Sequence, residues 1–585
     1  MISSAWDLAD LNVQHRVMNA IIKEEIFPEG LVLSEHNNQV NLQYKGRALV
    51  LDVERKSIMQ RYVFIGKPTY KCGNTQYLIN DLEQLINILT YEFDINIQER
   101  LKEELLSSRD GFEITYQNFD NRKEHIHSSL RFTRMPEIIN FFAWLQHITA
   151  ENELNDLSYT ESLVLEGHPT HPLSKTKLPL TQEEMKKYAP EFEKVIPLKL
   201  MLIHKDKAVP TTMEDDEQFI LDSVLPEYKY RLKAFLEPYH LKLKDYQLIL
   251  VHPWQYDNVI VNEFKSWIKD QYLLPTPFEI PSKATLSFRT MELINKPFHI
   301  KLPVSVQMTS AIRTVGPVTT IDGPRLSYEL QSMLDIYPHL QVATEPYGIY
   351  ANTEESLAKQ LACIVRRKPI FVRNGVTIVT ASLVNKNPID NKFIVDSYIE
   401  WIDNGVNKET IQKFMFYYAD TLIKPLIAYI QDYGIALEAH MQNTVVNLGY
   451  DYQMAFIVRD LGGSRIDLNT MHERLPNVEI NNKSLIGESI EAVIEKFQHA
   501  VIQNQIAELI HHFNQYDDID EQELFNIVQS VVDDAIDDNK NHATELRNIL
   551  FGETITVKAL LRMRMEDKVK KYVTTELPNP IRKEV

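Results

Sequence analysis

"LEAHMQNTVVNLGYDYQMAFIVRDLGG", residues 437–463, is the strand-like interruption in a helical C-terminal third, and its reading decides how the chain is organised. "TVVNL" and "QMAFIV" flank the turn-forming "GYDY", the pattern of an antiparallel hairpin. A hairpin returns the chain to its start, so Asp460 is expected beside Glu438 and Asn443, with His440, Gln442 and Arg459 close by. Burying so many polar groups around apolar strands is costly unless each has a partner, which favours a site over plain packing. Glu438, Asn443 and Asp460 offer the oxygen donors that Mg²⁺ on a nucleotide takes.

Upstream, the pattern changes character twice. To about residue 150, "QHRVMNAIIKEEIF", "LINDLEQLINILTYEF" and "MPEIINFFAWLQHITAENEL" space their apolar residues as helices do, and "QVNLQYKGRALVLDV" alternates like a hairpin. From about 160 to 385 strand-like runs dominate, among them "EKVIPLKLMLIHKD", "YQLILVHPWQ" and "FHIKLPVSVQMTS", separated by loops such as "RTVGPVTTIDGPR". Beyond about 390 the pattern is helical apart from the hairpin. The expected class is α+β, with a mostly antiparallel sheet in the middle and divisions at 1–150, 151–388 and 389–585. With 585 residues and 68.2 kDa the chain exceeds what one hydrophobic core usually supports.

A formal charge of −19 repels polyanions and argues against nucleic acid. Any cations gathered in one place are therefore informative. No apolar run approaches the length that crosses a bilayer, and the first residues lack a basic start followed by an apolar stretch, so a cytoplasmic location without membrane contact is expected. Cys72 and Cys363 are too few for a disulfide framework or a four-cysteine zinc module.

Three stretches supply the cations. In "GHPTHPLSKTK" (167–177), His168 and His171 are each followed by proline, which blocks the helix a two-histidine zinc site would use; a stiff loop with Lys175 and Lys177 suits an anion. In "TLSFRT" (285–290), an extended chain would put Ser287 and Arg289 on one face with Thr290 at its end, a hydroxyl and a guanidinium for phosphate oxygens. In "KLPVSVQMTSAIR" (301–313), Leu302, Val304, Val306 and Met308 alternate with Lys301, Ser305, Gln307 and Thr309, and Arg313 follows near the end of the same strand. A solvated face or structural loop would account for any one of these alone. Together the residue types point to ATP plus a polycarboxylate, although no G-x-x-x-x-G-K-[ST] loop occurs.

The ordered set "GHPTHPLSK", "HPWQ" (252–255), "SFRT", "KLPVSVQMTSAIRT", "EAHMQN", "RDLGG", "KALLRMRM" (558–565) and "NPI" resembles the IucA/IucC family of NRPS-independent siderophore synthetases over residues 160–582. The resemblance implies a cupped hand: an N-terminal thumb, sheet-rich fingers that bind ATP, and a helical palm. It implies that a carboxylate of citrate, a citryl conjugate or 2-oxoglutarate is adenylated and passed to an amine or hydroxyl, with release of AMP and pyrophosphate. By motif, His168 or His171, Lys175, Ser287, Arg289, Thr290 and Lys301 would contact ATP. Glu438, Asn443 and Asp460 would hold the nucleotide or its Mg²⁺. Thr309, Arg313, His440 and Gln442 would bind the acyl donor, with Arg313 and His440 catalytic. Lys177 stands where many members have arginine, which loosens the expectation of bidentate contact there. The family further implies a homodimer, and the chain's character implies staphyloferrin B as product. A phosphotransferase, suggested by the kinase-like Asn443 and Asp460 hairpin, and a ferric-carboxylate carrier are the alternatives.

Overall fold

The apolar middle runs build the sheet that positions the site. Every residue of Tyr246–Val251 is buried, as are most of Ile196–His204, so both faces of this part of the sheet are covered. The full order is Ala208–Thr212, Tyr347–Ala351, Ala362–Arg367, Phe298–Lys301, Thr290–Leu293, Leu273–Ala284, Ile196–His204 and Tyr246–Val251, with all eight strands antiparallel to their neighbours. The computed structural model describes residues 4–132, 140–151, 155–214, 216–309, 311–331, 336–371, 375–566 and 573–583.

The expected hairpin forms. Thr444–Leu448 pairs with Met454–Val458 from Thr444↔Val458 to Leu448↔Met454, and Asp451 and Tyr452 turn the chain in left-handed conformations (φ 53° and 56°). Leu340–Val342 adds in parallel on one side and Val376–Val379 antiparallel on the other. Both hairpin strands are buried, and Phe456 meets Tyr418 of the helix Lys408–Tyr433 edge-on at 5.1 Å. Nearer the N-terminus, five strands from Val32–His36 to Thr75–Leu78 form a meander whose core includes Val13, Val17 and Ile21 of the helix Ala5–Lys23. The fold is thus mixed helix and antiparallel sheet.

Three local readings are corrected. "TLSFRT" is a turn between Leu273–Ala284 and Thr290–Leu293, because Phe288 takes φ 59° and drives its ring into the core, 2% exposed. The alternation from 301 is divided between two sheets: Phe298–Lys301 ends at Leu302-Pro303, where proline has no N–H to give a ladder, and Val304–Met308 joins a separate small sheet. Arg313 therefore sits on a returning strand, Ala311–Arg313, opposite Val304. "RTVGPVTTIDGPR" is mostly helix, Pro317–Glu329, with Pro317 in its first turn where a missing N–H costs nothing. Part of "MPEIINFFAWLQHITAENEL" lies outside the described residues; within it, Phe141–Ala150 is helical.

Lys175 lies in a turn, 2% exposed, donating to the Val164 carbonyl at 3.2 Å and paired with Glu191. Burial works to raise the Glu191 carboxyl, but Lys175 and Lys177 outweigh it and hold it at about 2. That pair should stabilise the fold at neutral pH and weaken as pH falls from the unfolded value of 4.5 towards 2. Lys175→Met should cost about 3–5 kcal/mol in denaturant unfolding at pH 7, because it leaves a buried charge without its partner. The penalty should shrink below pH 4.5, where Glu191 in the variant can take up a proton.

Candidate functional site

Arg459 organises the site without lining it. Its guanidinium is 3% exposed, pairs with Glu161 (1% exposed) at 2.5 Å and donates to the Gln442 carbonyl at 3.0 Å. The other Glu161 oxygen accepts the Leu286 N–H. Gln442 Nε2 completes the clasp by donating to the Leu286 carbonyl at 3.3 Å. One buried ion pair thus brings the 285–290 turn, the 437–443 loop and the start of "RDLGG" to one place.

On the wall from the eight-stranded sheet, Ser287 Oγ lies 3.0 Å from Thr290 Oγ1, and Thr290 is paired across the ladder with Lys301. Lys301 Nζ donates to Asp460 Oδ1 at 2.6 Å. Arg289 gives one N–H to the Thr314 carbonyl. Arg313 Nη2 reaches Thr309 Oγ1 at 3.3 Å, across a turn in which Thr309 takes φ 53°. Burial lowers the pKa of Lys301, Arg289 and Arg313, the last to about 10; Arg289 works in the same direction on both Lys301 and Arg313, while Asp460 opposes the shift in all three. These cations are crowded, and a polyanion between them would relieve the crowding.

The facing wall is acidic. Asp460, in a left-handed conformation (φ 70°), also accepts the Gly462 N–H at 3.3 Å. Burial works to raise its carboxyl, but Lys301, Arg366 and Arg289 hold it far below the ordinary range. Arg366 stands 3.9 Å from Asp460 Oδ1 and donates to Glu345 Oε1 at 2.6 and 3.0 Å, with both partners of that pair at most 3% exposed. Glu438 pairs with Lys496 at 2.5 Å; burial opposes its ionisation, yet Lys496 and His440 keep it at about 2. Gly463 makes room for this carboxylate, since a Cβ there would fall 1.7 Å from Glu438 Oε2. Burial keeps the His440 imidazole below its usual range, hence neutral near pH 7. Asn443 donates to the Glu438 carbonyl at 3.3 Å.

The histidine loop closes a third side. Arg16, from the first helix, donates to the carbonyls of His168 (2.6 Å) and His171 (3.3 Å) and to Glu166 Oε2 (2.7 Å). The two rings stand edge to face at 6.0 Å. Burial, reinforced by the neighbouring His171 and His440, holds His168 well below its ordinary pKa; burial, then Arg16 and Arg313, hold His171 at about 3. His171 Nδ1 accepts the Leu173 N–H at 3.0 Å.

The structure therefore gathers His168, His171, Ser287, Arg289, Thr290, Lys301, Thr309, Arg313, Glu438, His440, Asn443 and Asp460, and leaves Lys175 out, committed to Glu191. Gln442 is a contact between loops. Sequence reasoning missed Arg16, Glu161, Glu345, Arg366 and Lys496; each acts through a partner well removed in sequence, and none carries a local signal. As to Mg²⁺, Asp460 and Glu438 are ionised carboxylates, the donor type of a hard cation that also takes phosphate oxygens, and each gives one oxygen to a lysine, Lys301 and Lys496. Among the described residues, no three His, Cys, Asp or Glu side chains converge as a self-sufficient metal cluster. A separate cavity of about 680 Å³, lined by Asn155, Lys283 and Lys368 among others, includes none of these residues.

Comparison with known proteins bears on this geometry. The IucA / IucC family profile matches residues 156–385, and that of a ferric iron reductase FhuF-like transporter matches 412–573. Staphyloferrin A synthase of Staphylococcus aureus (strain NCTC 8325 / PS 47) is 58% identical over 585 residues, covering all of both chains. D-ornithine--citrate ligase of the same organism is 26% identical over 470 residues, 74% of this chain and 71% of that one. In structure, the petrobactin biosynthesis protein AsbB from Bacillus anthracis str. Sterne superposes with a TM-score of 0.77 at 18% identity, covering 99% of this chain and 96% of that one. ATP-bound aerobactin synthetase IucA from Klebsiella pneumoniae does so with 0.76 at 18% identity, covering 98% and 100%. The expectation of staphyloferrin B finds no support in the whole-length match to a staphyloferrin A synthase. With 58% identity over the full length of both chains, and the motifs of residues 167–463 gathered in one place, the chain belongs to the IucA/IucC family of siderophore synthetases.

Proposed function

We infer that the chain is an ATP-dependent ligase of siderophore assembly that activates a carboxylate of citrate and joins it to an amine. The observation that carries this is one cluster in which Ser287, Arg289, Lys301 and Arg313 come together with Asp460, Glu438 and a neutral His440. The name of the 58% relative favours staphyloferrin A as the product, and the ATP-bound state of the structural neighbour favours ATP as co-substrate. In this reading residues 1–150 are the thumb, 151–388 the fingers and 389–585 the palm.

The substrate carboxylate is too poor an electrophile to meet an amine directly. Its oxygen attacks the α-phosphorus of ATP, the bond to pyrophosphate breaks, and an acyl-adenylate results. Arg289 and Lys301 take charge from the phosphate oxygens, and Arg313, poised by Thr309, offsets the charge that builds as the two anions meet. Mg²⁺, held by Asp460 and Glu438 with Asn443 alongside, would neutralise phosphate charge and draw off the pyrophosphate. In the second step the amine nitrogen bonds the acyl carbon, the bond to AMP breaks, and neutral His440 receives the amine proton.

Arg313→Ala should lower citrate-dependent turnover by about 10²–10³ with an unchanged melting temperature, as loss of a preorganised charge costs about 3–4 kcal/mol of barrier. Chromatography of the nucleotide products should show AMP with pyrophosphate; ADP instead would mark a phosphotransferase. Arg366 is a positioning residue for Asp460, so exchanging the buried pair for Arg366→Met with Glu345→Met should restore stability lost in Arg366→Met alone, yet leave ATP binding by calorimetry at least tenfold weaker than wild type. Recovery of both would reduce Arg366 to a structural role.

A further inference from the structure

The run "HPWQ" (252–255) takes no part in the chemistry above. It opens the helical segment that follows Tyr246–Val251, the edge strand of the eight-stranded sheet. His252 Nδ1 caps that segment by accepting the Trp254 N–H at 3.2 Å, and its ring stacks at 6.1 Å on Phe288, the left-handed residue between Ser287 and Arg289. Gln255, at the other end of the run, is 0% exposed and reaches the separate small sheet. Its Oε1 accepts the Ser305 N–H at 2.9 Å, and its Nε2 donates to the backbone carbonyl and to the Oε1 of Gln360, each at 3.0 Å. Ser305 Oγ donates to that same Gln360 oxygen. Three side chains thus enclose one backbone N–H.

Ser305 stands where the ladder of the small sheet is interrupted. Val304–Met308 pairs with Ala311–Arg313 as Met308↔Ala311 and Gln307↔Ile312, but the next pair is Val304↔Arg313. A regular ladder would put Val306 opposite Arg313, so Ser305 and Val306 form a bulge. A bulge bends its strand and re-aims what lies across from it. Across from this one lies Arg313, whose Nη2 turns back to Thr309 Oγ1 at 3.3 Å and to the Met308 carbonyl at 3.5 Å. A backbone N–H sheltered from water needs an acceptor, so the bulge is stable only where one is supplied. Gln255 supplies it from the eight-stranded sheet, and Gln360, just ahead of the strand Ala362–Arg367 in the same sheet, holds the Gln255 amide in its orientation. The place of Arg313 on the small sheet is thereby set from the sheet that carries Ser287, Arg289 and Lys301.

We propose that Gln255 is a positioning residue for Arg313: by taking the Ser305 N–H it fixes the bulge that holds the Arg313 guanidinium at Thr309. The proposal rests on the acyl-activation reading. Its test is a double-mutant cycle read as the hydroxamate formed from citrate, ATP and hydroxylamine. Gln255→Met keeps the length of the side chain and removes the acceptor; it should lower kcat/KM for citrate about 10²-fold, the loss that a displacement of about 1 Å produces. In the Arg313→Ala background the same substitution should cost less than threefold, because its effect passes through Arg313. ATP binding by calorimetry should stay within twofold of wild type, since Ser287, Arg289 and Lys301 belong to the other sheet. Should Gln255→Met not fold, Gln360→Met, which takes away the support of the Gln255 amide, carries the same cycle. Unaltered citrate turnover in a folded variant, a further loss above threefold in the Arg313→Ala background, or ATP binding weakened more than twofold would each overturn the proposal. Wild-type enzyme that forms no hydroxamate from citrate would remove the activation reading, and this proposal with it.

Discussion

The two polar loops at the centre of the candidate site meet around one buried ion pair, Arg459 with Glu161. Two charges out of water are stable only if their remaining hydrogen-bonding capacity is met, and here it is met by backbone groups of two separate loops, the Leu286 N–H and the Gln442 carbonyl. The pair therefore fixes the mutual position of a hydroxyl-and-guanidinium turn and an acid-and-imidazole loop, whose contacting residues Leu286 and Gln442 are 156 residues apart in the chain. The hairpin Thr444–Leu448 and Met454–Val458 supplies the rigid base, because its register places Arg459 back beside Asn443.

Around that base the candidate site holds its charges in opposition. Asp460 is shared by Lys301 and Arg366, and Arg366 is in turn anchored by Glu345, so that the position of an acid at the site is set by a cation that never meets solvent. Glu438 is similarly balanced by Lys496, and its approach requires the absence of a side chain at Gly463. Such an arrangement resists reorganisation when a polyanion enters, which is the physical basis for lowering a barrier in which two anions must meet.

Much of the site was legible in the sequence. Ser287, Arg289, Lys301, Arg313, Glu438, His440, Asn443 and Asp460 all fall in short polar runs set against apolar strands, and those runs do gather. The reasons given for two of them were wrong in detail. Ser287 and Arg289 come together through the left-handed turn at Phe288, not through strand alternation, and Arg313 arrives on a returning strand after Pro303 and Thr309 redirect the chain. Lys175 looked like a phosphate ligand because lysine in a proline-stiffened loop carries no mark of its partner. Only packing showed Glu191 against it.

By itself the sequence determined the α+β class, the hairpin at 444–458 and the identity of the groups available for chemistry, since periodicity, turn residues and charged side chains are local properties of the chain. Tertiary structure alone decided which charges are spent on the fold and which gather at the candidate site. Arg16, Glu161, Glu345, Arg366 and Lys496 acquire their roles from partners between 21 and 298 residues away. A buried charge is defined by what neutralises it, and that neighbour is chosen by packing rather than by position in the chain.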